Sequence, residues 1–464
     1  METAKKLLEK NFPGAALEHL KTLLKSAKKS DEWKIHELVG AAFHDLCDAE
    51  GAAQAYFNAA QTDTILRSQR EHFSNYIFAL HYLPQVDAGI LSDAMKIYNS
   101  LYRDAETLPA VEKISGEKIS VAFIAPHFSD SSAARFYEPL LTEYDREKFF
   151  VTCWNLSEQE DDFTEKIRRS VDKFFDVSRT SFEETALKIR EVGTDILFDL
   201  GGHNEGGMTL QIAAYRPAKI QISGIGYFDT TGTDFIDFFF TDDFCAATCR
   251  ENFAEKIWTV ENAFAFCPNE KIFAARKNLQ PVPHEKFTFG VLNNFMKINE
   301  DFLTCLRIIL TESPESEIIF RDTTPLESRK NSLAEKIEIA GLPGDRVKIF
   351  CGENNFFSDY AKIDLILDTF PYPGGMMTAL ALYMGVPVLN LCGELHGNRL
   401  GADMLRIAGL DELICKTPDE YIDAAINFSR EKNLSALRKK ICADKLTDTK
   451  TFAKNFYNAL MRLR

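Results

Sequence analysis

The chain has 464 residues, 45% of them apolar and 27% charged, so it exceeds a single hydrophobic core and sits near three domains at roughly 150 residues each. The composition is that of a folded globular protein, not of a disordered one. A net charge of -15 and a pI near 5.2 oppose any broad electrostatic grip on phosphate backbones or anionic lipid, which argues against nucleic acid and membrane surfaces as partners.

The first ten residues enter an amphipathic helix with no apolar signal-type run behind it. No later stretch approaches 18 uninterrupted apolar residues, so the expectation is a cytoplasmic chain with no membrane span. Ten cysteines are scattered through it. Cys245 and Cys249 alone fall close together, at a spacing that fits neither a redox pair nor a four-ligand zinc site, and the cysteines read as reduced packing residues. From residue 1 to about 110 apolar residues recur at three- or four-residue steps: Leu17, Leu20 and Leu24, then Ile35, Leu38, Ala42 and Leu46, then Tyr56, Ala59 and Ala60, then Phe73, Ile77 and Leu80. Punctuated by Pro13-Gly14, Ser30-Asp31 and Ala49-Glu50-Gly51, this pattern predicts helix pairs of tetratricopeptide type over residues 1–112.

From Lys118 short β-rich runs alternate with helical stretches. The expected strands are Ile119 to Ala125, Phe149 to Trp154, Asp195 to Leu200, Lys219 to Ser223 and Phe235 to Thr241. After Pro281-Val282-Pro283 the cycle restarts with Phe287 to Leu292, Glu317 to Phe320, Val347 to Cys351, Asp364 to Asp368 and Val386 to Leu391. Two successive Rossmann-like α/β lobes, 113–283 and 284–464, are the simplest account. Ligands of open parallel sheets lie at the carboxyl ends of the strands, so the chemistry is sought in the residues just after these runs.

Four such segments stand out. Leu367 to Thr378 runs from a buried strand through Pro373-Gly374-Gly375 into a helix starting Met376-Met377. The glycines let backbone approach an anion, and first-turn N–H groups with the helix dipole suit a pyrophosphate; a ligand-free tight turn is the plainer reading. Gly290 to Glu300 carries Asn293, Asn294 and Lys297 after another strand, with Lys297 placed as a point charge for a diphosphate. Gly393 to Arg399 offers His396 and Arg399 to a phosphate or ribose. In the first lobe, Asp199 to Asn204 holds His203 on a glycine-rich loop, followed by Gly224-Ile225-Gly226-Tyr227-Phe228-Asp229-Thr230-Thr231-Gly232. His203 there suits a catalytic or sugar-contacting role better than a core one. No metal-ligand spacing surrounds any of the four.

Taken together these motifs resemble the O-GlcNAc transferase family, notably its bacterial members with short helical N-termini, over roughly residues 75–464. The resemblance begins at Phe78-Ala79-Leu80-His81-Tyr82-Leu83-Pro84 and continues through Tyr215-Arg216-Pro217-Ala218, Gly224 to Tyr227, Thr230-Thr231-Gly232, Asp368 to Tyr372 and Tyr383 to Val388. It implies a GT-B pair of lobes behind the helical domain, a UDP-sugar donor with no further cofactor, metal-independent inverting transfer, and a protein Ser or Thr as acceptor. By the same resemblance Lys297 matches the lysine contacting the donor diphosphate, Asn294 lies in its polar loop, Phe356 stands where a ring meets the base, and the turn at Gly374 and Gly375 receives the phosphates. Gly224 and Tyr227 fall on the acceptor side.

The chain also departs from the family. Met376 and Met377 replace a Thr-Thr pair, and Leu380 replaces an acidic residue that contacts the ribose. A hydrogen bond to a charged group is worth roughly 1.5 to 3 kcal/mol, so two lost hydroxyls cost about 3 to 6 kcal/mol, or roughly two to four powers of ten in affinity. The family's Pro-Asp-Phe motif with a histidine three residues later reads Pro126-His127-Phe128-Ser129-Asp130-Ser131. Serine is no base near neutral pH, so His127 or His203 takes that role, or no transfer occurs. Two functions follow: an active glycosyltransferase acting on a protein or peptide, or a catalytically silent paralogue serving as partner, acceptor-binding or assembly subunit of an active enzyme.

Overall fold

The computed structural model describes residues 1–110, 117–280, 282, 285–431 and 434–463. The expected domain boundaries at 112/113 and 283/284 lie outside the described residues. The chain divides into two compact units, each assembled from several stretches.

One unit comprises Met1–Asp63, Ala79–Val86 and Pro268–Leu446. Its N-terminal part holds helices Glu2–Glu9, Pro13–Leu24, Glu32–Asp45 and Ala49–Thr62. Ala4, Leu17, Leu20, Ile35, Val39, Ala42 and Ala55 form their common core, with Leu24, Leu38 and Leu46 packed at its margin, as the 3.6-residue spacing predicts. Helices Glu32–Asp45 and Ala49–Thr62 join through Asp48, whose carboxylate caps the N–H of Gly51 at 2.9 Å. Gly40 admits the Tyr56 ring, which a Cβ there would meet at 2.6 Å.

The rest of this unit is a six-stranded, all-parallel sheet of β8 (Phe287–Leu292), β9 (Ser316–Asp322), β10 (Val347–Cys351), β11 (Leu365–Leu367), β12 (Val388–Leu391) and β13 (Ile414–Cys415), in the order β10-β9-β8-β11-β12-β13. Order reverses after β8, whose carboxyl end therefore opens at a topological switch point.

The other unit comprises Thr64–Phe78, Asp87–Cys267 and Thr447–Arg464. Its seven-stranded parallel sheet has β1 (Ile119–Ala125), β2 (Phe149–Asn155), β3 (Lys173–Asp176), β4 (Ile196–Asp199), β5 (Ile220–Gly224), β6 (Phe238–Thr241) and β7 (Lys256–Thr259), in the order β3-β2-β1-β4-β5-β6-β7. The strand β1, buried at all seven residues, reads as a continuous apolar run because helices cover both faces of such a sheet. Helix Thr449–Leu460 returns to this sheet: Phe456 lies 5.5 Å from Phe198, 5.3 Å from Phe240 and 5.5 Å from Trp258, centroid to centroid. Sequence alone placed these residues with the second lobe, where chain order puts them; burial of Phe452, Phe456 and Tyr457 decides otherwise. Edge strands β3, β7 and β13 also escaped the sequence reading, being two to four residues long. No described helix is long and apolar enough to cross a membrane.

Candidate functional site

In the six-stranded sheet, the carboxyl ends of three neighbouring strands converge on Asp368, the residue just after β11. Its buried carboxylate accepts the Gly374 N–H at 2.7 Å, the Thr378 hydroxyl at 2.8 Å, Asn390 Nδ2 at 3.0 Å and Asn293 Nδ2 at 3.4 Å. Burial raises its pKa, and the bonds from Gly374, Thr378 and Asn390 oppose that shift. Asn293 also donates to Thr369 Oγ1 at 2.8 Å. The loop after β8 is thereby tied to the loop after β11, and β12 itself joins them through Asn390.

Asn294 caps the single turn Phe295–Lys297, accepting the Met296 N–H and Arg329 Nη1, both at 2.9 Å. That turn presents Lys297. Its ammonium donates to the Pro373 carbonyl at 2.7 Å and sits 3.8 Å from the centre of the Tyr372 ring. Burial lowers its pKa to about 8 against the pull of Asp368 and Asp322, so the amine is a cation held at some cost and ready for a second anionic partner. Two residues beyond Pro373, Gly375 is the N-cap of helix Met376–Tyr383 and brings no capping side chain to it. A Cβ on Gly375 would meet open space, whereas one on Gly374 would strike Thr378 Oγ1 at 2.5 Å. The lysine and an uncapped helix start are thus juxtaposed, a charge pattern that suits a diphosphate.

The remaining predicted residues of this lobe fall into three groups. Met376 and Met377 are half-buried at the helix start, while Leu380 is buried in the core. His396 is buried before the turn Gly397–Arg399, and Arg399 Nη1 donates to Gly393 at 3.1 Å within its own loop. That loop leads to Gly401, whose Cβ would meet Asp368 Oδ2 at 2.6 Å, so it belongs to the same constellation. Phe356 is buried instead, 5.5 Å from Tyr360 and 5.2 Å from Phe357; its ring is committed to an aromatic cluster.

In the seven-stranded sheet the two histidines separate. His203 is fully enclosed: Nδ1 meets the Ser74 hydroxyl at 2.7 Å, Nε2 meets the Thr231 carbonyl at 3.0 Å, and Tyr98 and Tyr227 lie edge-on at 4.7 and 5.2 Å. A carbonyl only accepts, so Nε2 carries a proton. Burial depresses its pKa to about 4. The expectation that a glycine-rich strand end would present this histidine to ligand meets a saturated, buried ring. Tyr227 is equally buried and packs on Phe78 and Phe228. Gly224 runs at φ 153° against the Phe240 carbonyl, and a Cβ on Gly226 would overlap the Leu200 carbonyl at 1.6 Å. The first-lobe signature therefore has a packing reason as well.

His127 follows β1 and lines an open cavity of about 710 Å³ with Pro126, Ser129, Asp161, Glu205 and Met208. Its Nδ1 lies 2.7 Å from Ser129 Oγ and its Nε2 3.3 Å from Glu205 Oε1. Donation to the Glu205 carboxylate raises its pKa despite partial burial. Ser131 instead accepts the Ala134 N–H at 3.3 Å. Sequence reasoning missed Glu205, on the same loop as His203, and quoted Asp229 only as part of a motif. Burial pushes the Asp229 carboxyl up to about 7, and its Oδ2 has no hydrogen-bond partner among the described residues.

Two doubly wound parallel sheets and an anion-ready strand-end loop define the GT-B class of fold. The model of glycosyl transferase family 41 matches residues 94–279 and 265–461, and the chain belongs to that family. It is similar to a probable UDP-N-acetylglucosamine--peptide N-acetylglucosaminyltransferase SPINDLY of Hordeum vulgare, 27% identical over 79% of this chain and 40% of that protein. A SPINDLY protein of Eustoma exaltatum subsp. russellianum is 30% identical over 67% of this chain and 35% of its own length. The chain thus spans about two fifths or less of these relatives. A solved lysine-to-methionine mutant of Thermobaculum terrenum O-GlcNAc transferase shares the fold, with a TM-score of 0.87 and 24% identity over 98% of this chain and 88% of that one.

Proposed function

We propose that this chain transfers a sugar from a UDP-sugar, in the first instance UDP-N-acetylglucosamine, to a Ser or Thr hydroxyl of a protein or peptide in the cytoplasm. The observation that carries the reading is Lys297, held by the Pro373 carbonyl beside the uncapped helix start at Gly375. Cation and helix dipole stabilise the diphosphate as it departs, a role that then asks for no metal, and we propose inverting transfer by direct attack of the acceptor oxygen on the anomeric carbon. Asn293, Asn294, Gly374, Gly375, Met376, Met377, His396 and Arg399 line or frame the donor loops, and Phe356 supports them from its cluster. The domain scheme we infer is a helical segment, an acceptor lobe bearing Gly224 and Tyr227, and a donor lobe.

His127 is the general base in this reading. The acceptor O–H gives its proton to the imidazole, the oxygen bonds to the anomeric carbon, and the bond from that carbon to the β-phosphate oxygen breaks with its electron pair leaving on UDP. His203, neutral and enclosed, braces the loop below. Calorimetric titration with UDP is the test, joined to a transfer assay with UDP-N-acetylglucosamine and Ser/Thr peptides. No binding by folded protein at millimolar UDP would end the enzyme reading.

A second reading rests on Met376, Met377 and Leu380, apolar where the family is polar. It makes the chain a silent paralogue that partners an active glycosyltransferase subunit. UDP binding without transfer, together with capture of acceptor peptide, would favour it.

A further inference from the structure

We propose that Glu205 is the positioning residue for His127: its carboxylate holds Nε2–H, leaving Nδ1, the nitrogen now paired with Ser129, to take the acceptor's proton. This rests on the reading of His127 as the base. The geometry has three parts.

First, the Ser129 backbone N–H donates to His127 Nδ1 at 3.4 Å, which makes Nδ1 the acceptor and leaves the hydrogen on Nε2, 3.3 Å from the carboxylate oxygen Oε1 of Glu205. Nδ1 is then the lone-pair nitrogen, and the Ser129 hydroxyl donates to it at 2.7 Å. The serine occupies, at hydrogen-bond distance, the place an acceptor Ser or Thr hydroxyl needs in order to lose its proton. Second, Glu205 is in the left-handed region at φ 45°, ψ 49°, a conformation unusual for a residue with a Cβ. Its neighbours fix it there. Asn204 Nδ2 donates to the Gly226 carbonyl at 2.5 Å. Gly206 lies against Glu71, and Gly207 against Ser74 and Tyr98, where a Cβ would meet atoms at 3.2, 2.5 and 3.0 Å. Glu205 itself is exposed, so the strained turn serves no packing of its own side chain; it aims the carboxylate at the cavity. Third, the same loop begins with buried His203, whose bonds to Ser74 and Thr231 anchor it.

The other charged groups at the cavity are Asp161, Glu158 and Glu160. Arg179 holds Glu158 at 2.8 Å and Arg168 holds Glu160 at 2.5 Å. Asp161 accepts the N–H groups of Asp130 and Thr164 at 2.8 and 2.9 Å. Each is engaged elsewhere, and Glu205 is the carboxylate on the imidazole.

The test is a ¹⁵N-histidine NMR titration of the full chain, with the His127 signal assigned by its loss in His127→Asn. In the native chain His127 shows the Nε2–H tautomer and titrates above the ordinary value near 6.5. Glu205→Gln lowers that midpoint by about half a pH unit or more and mixes the tautomers. Its kcat falls about tenfold, the acid limb of the rate profile moves to lower pH, and KM for the UDP-sugar holds. Glu205→Asp recovers part of the rate. An unchanged titration and tautomer in Glu205→Gln overturns the inference. If the titration responds but no chain, native or variant, transfers sugar while UDP still binds, the transferase reading falls and the hold of Glu205 on the imidazole stands.

Discussion

The two sheets carry glycine-rich, strand-end loops of similar appearance, yet they use them differently. In the six-stranded sheet the predicted Asn293 and Gly374, from the ends of β8 and β11, come together with Asn390 of β12, which was not predicted, around one buried carboxylate, Asp368. In the other lobe the loop after β4 turns its predicted histidine inward, and the residue two positions later reaches the cavity. The lesson is that a strand's carboxyl end locates a loop, while the packing beneath the loop selects which side chain faces solvent. Ser74, Tyr98 and Tyr227 make that selection for His203.

The sharpest way to break this comparison is to exchange the roles of the two histidines. His127→Ala is expected to lower kcat by about 10²- to 10⁴-fold with UDP affinity unchanged, the range for losing a general base. His203→Ala should act first on stability, because it empties a packed site and strips partners from Ser74 and the Thr231 carbonyl. Thermal melts beside transfer assays decide, and equal melting points with a rate loss confined to His203→Ala would reverse the assignment. Next, Lys297→Ala should weaken UDP binding about 10- to 100-fold, the scale of one charge-assisted contact; calorimetry giving the native affinity would remove Lys297 from the site. Restoring hydroxyls with Met376→Thr and Met377→Thr should tighten UDP about tenfold each, and no change would mean that backbone N–H groups alone serve the phosphates.

Two pH effects are smaller. The depressed pKa of His203 means that its stabilising contribution is whole above about 6.5 and is lost as pH falls from there towards about 4. Denaturant titrations across that window should show a loss on the order of 3 kcal/mol, absent in His203→Phe if that variant folds. Lys297, with a pKa of about 8, is a cation below that value. UDP affinity should therefore decline as pH rises through about 8, by up to about tenfold per unit, and a flat profile to pH 9 would contradict the lysine's charge role.

Much of the fold was legible before any coordinates. The long strands β1, β2, β8 and β9 are apolar runs bounded by turns, and the helices from Pro13 to Thr62 keep a 3.6-residue stripe. Short edge strands such as Lys173–Asp176 lack enough residues to show a period. Within the six-stranded unit Lys297, Asn293 and the Gly374-Gly375 turn were visible because glycine and a post-strand lysine are local signals. Phe356 was visible as a position, but its burial against Tyr360 was not. Glu205 gave no signal in a chain with 69 acidic residues, since its significance lies in a backbone angle and in a histidine 78 positions away in sequence.

The sequence by itself determined the class of the protein: two restarted βαβ series, the motifs of the transferase family, and the apolar Met376, Met377 and Leu380 on the helix that follows the Gly374-Gly375 turn. These are properties of residue type and order, which local propensity and hydrophobic period express directly. Tertiary structure alone decided that His203 is walled in and that His127 meets Glu205. It also decided that the last helix closes the first sheet. Each of these depends on contacts between residues far apart in the chain, where burial and the need to satisfy every enclosed polar atom outweigh anything a neighbouring residue can signal.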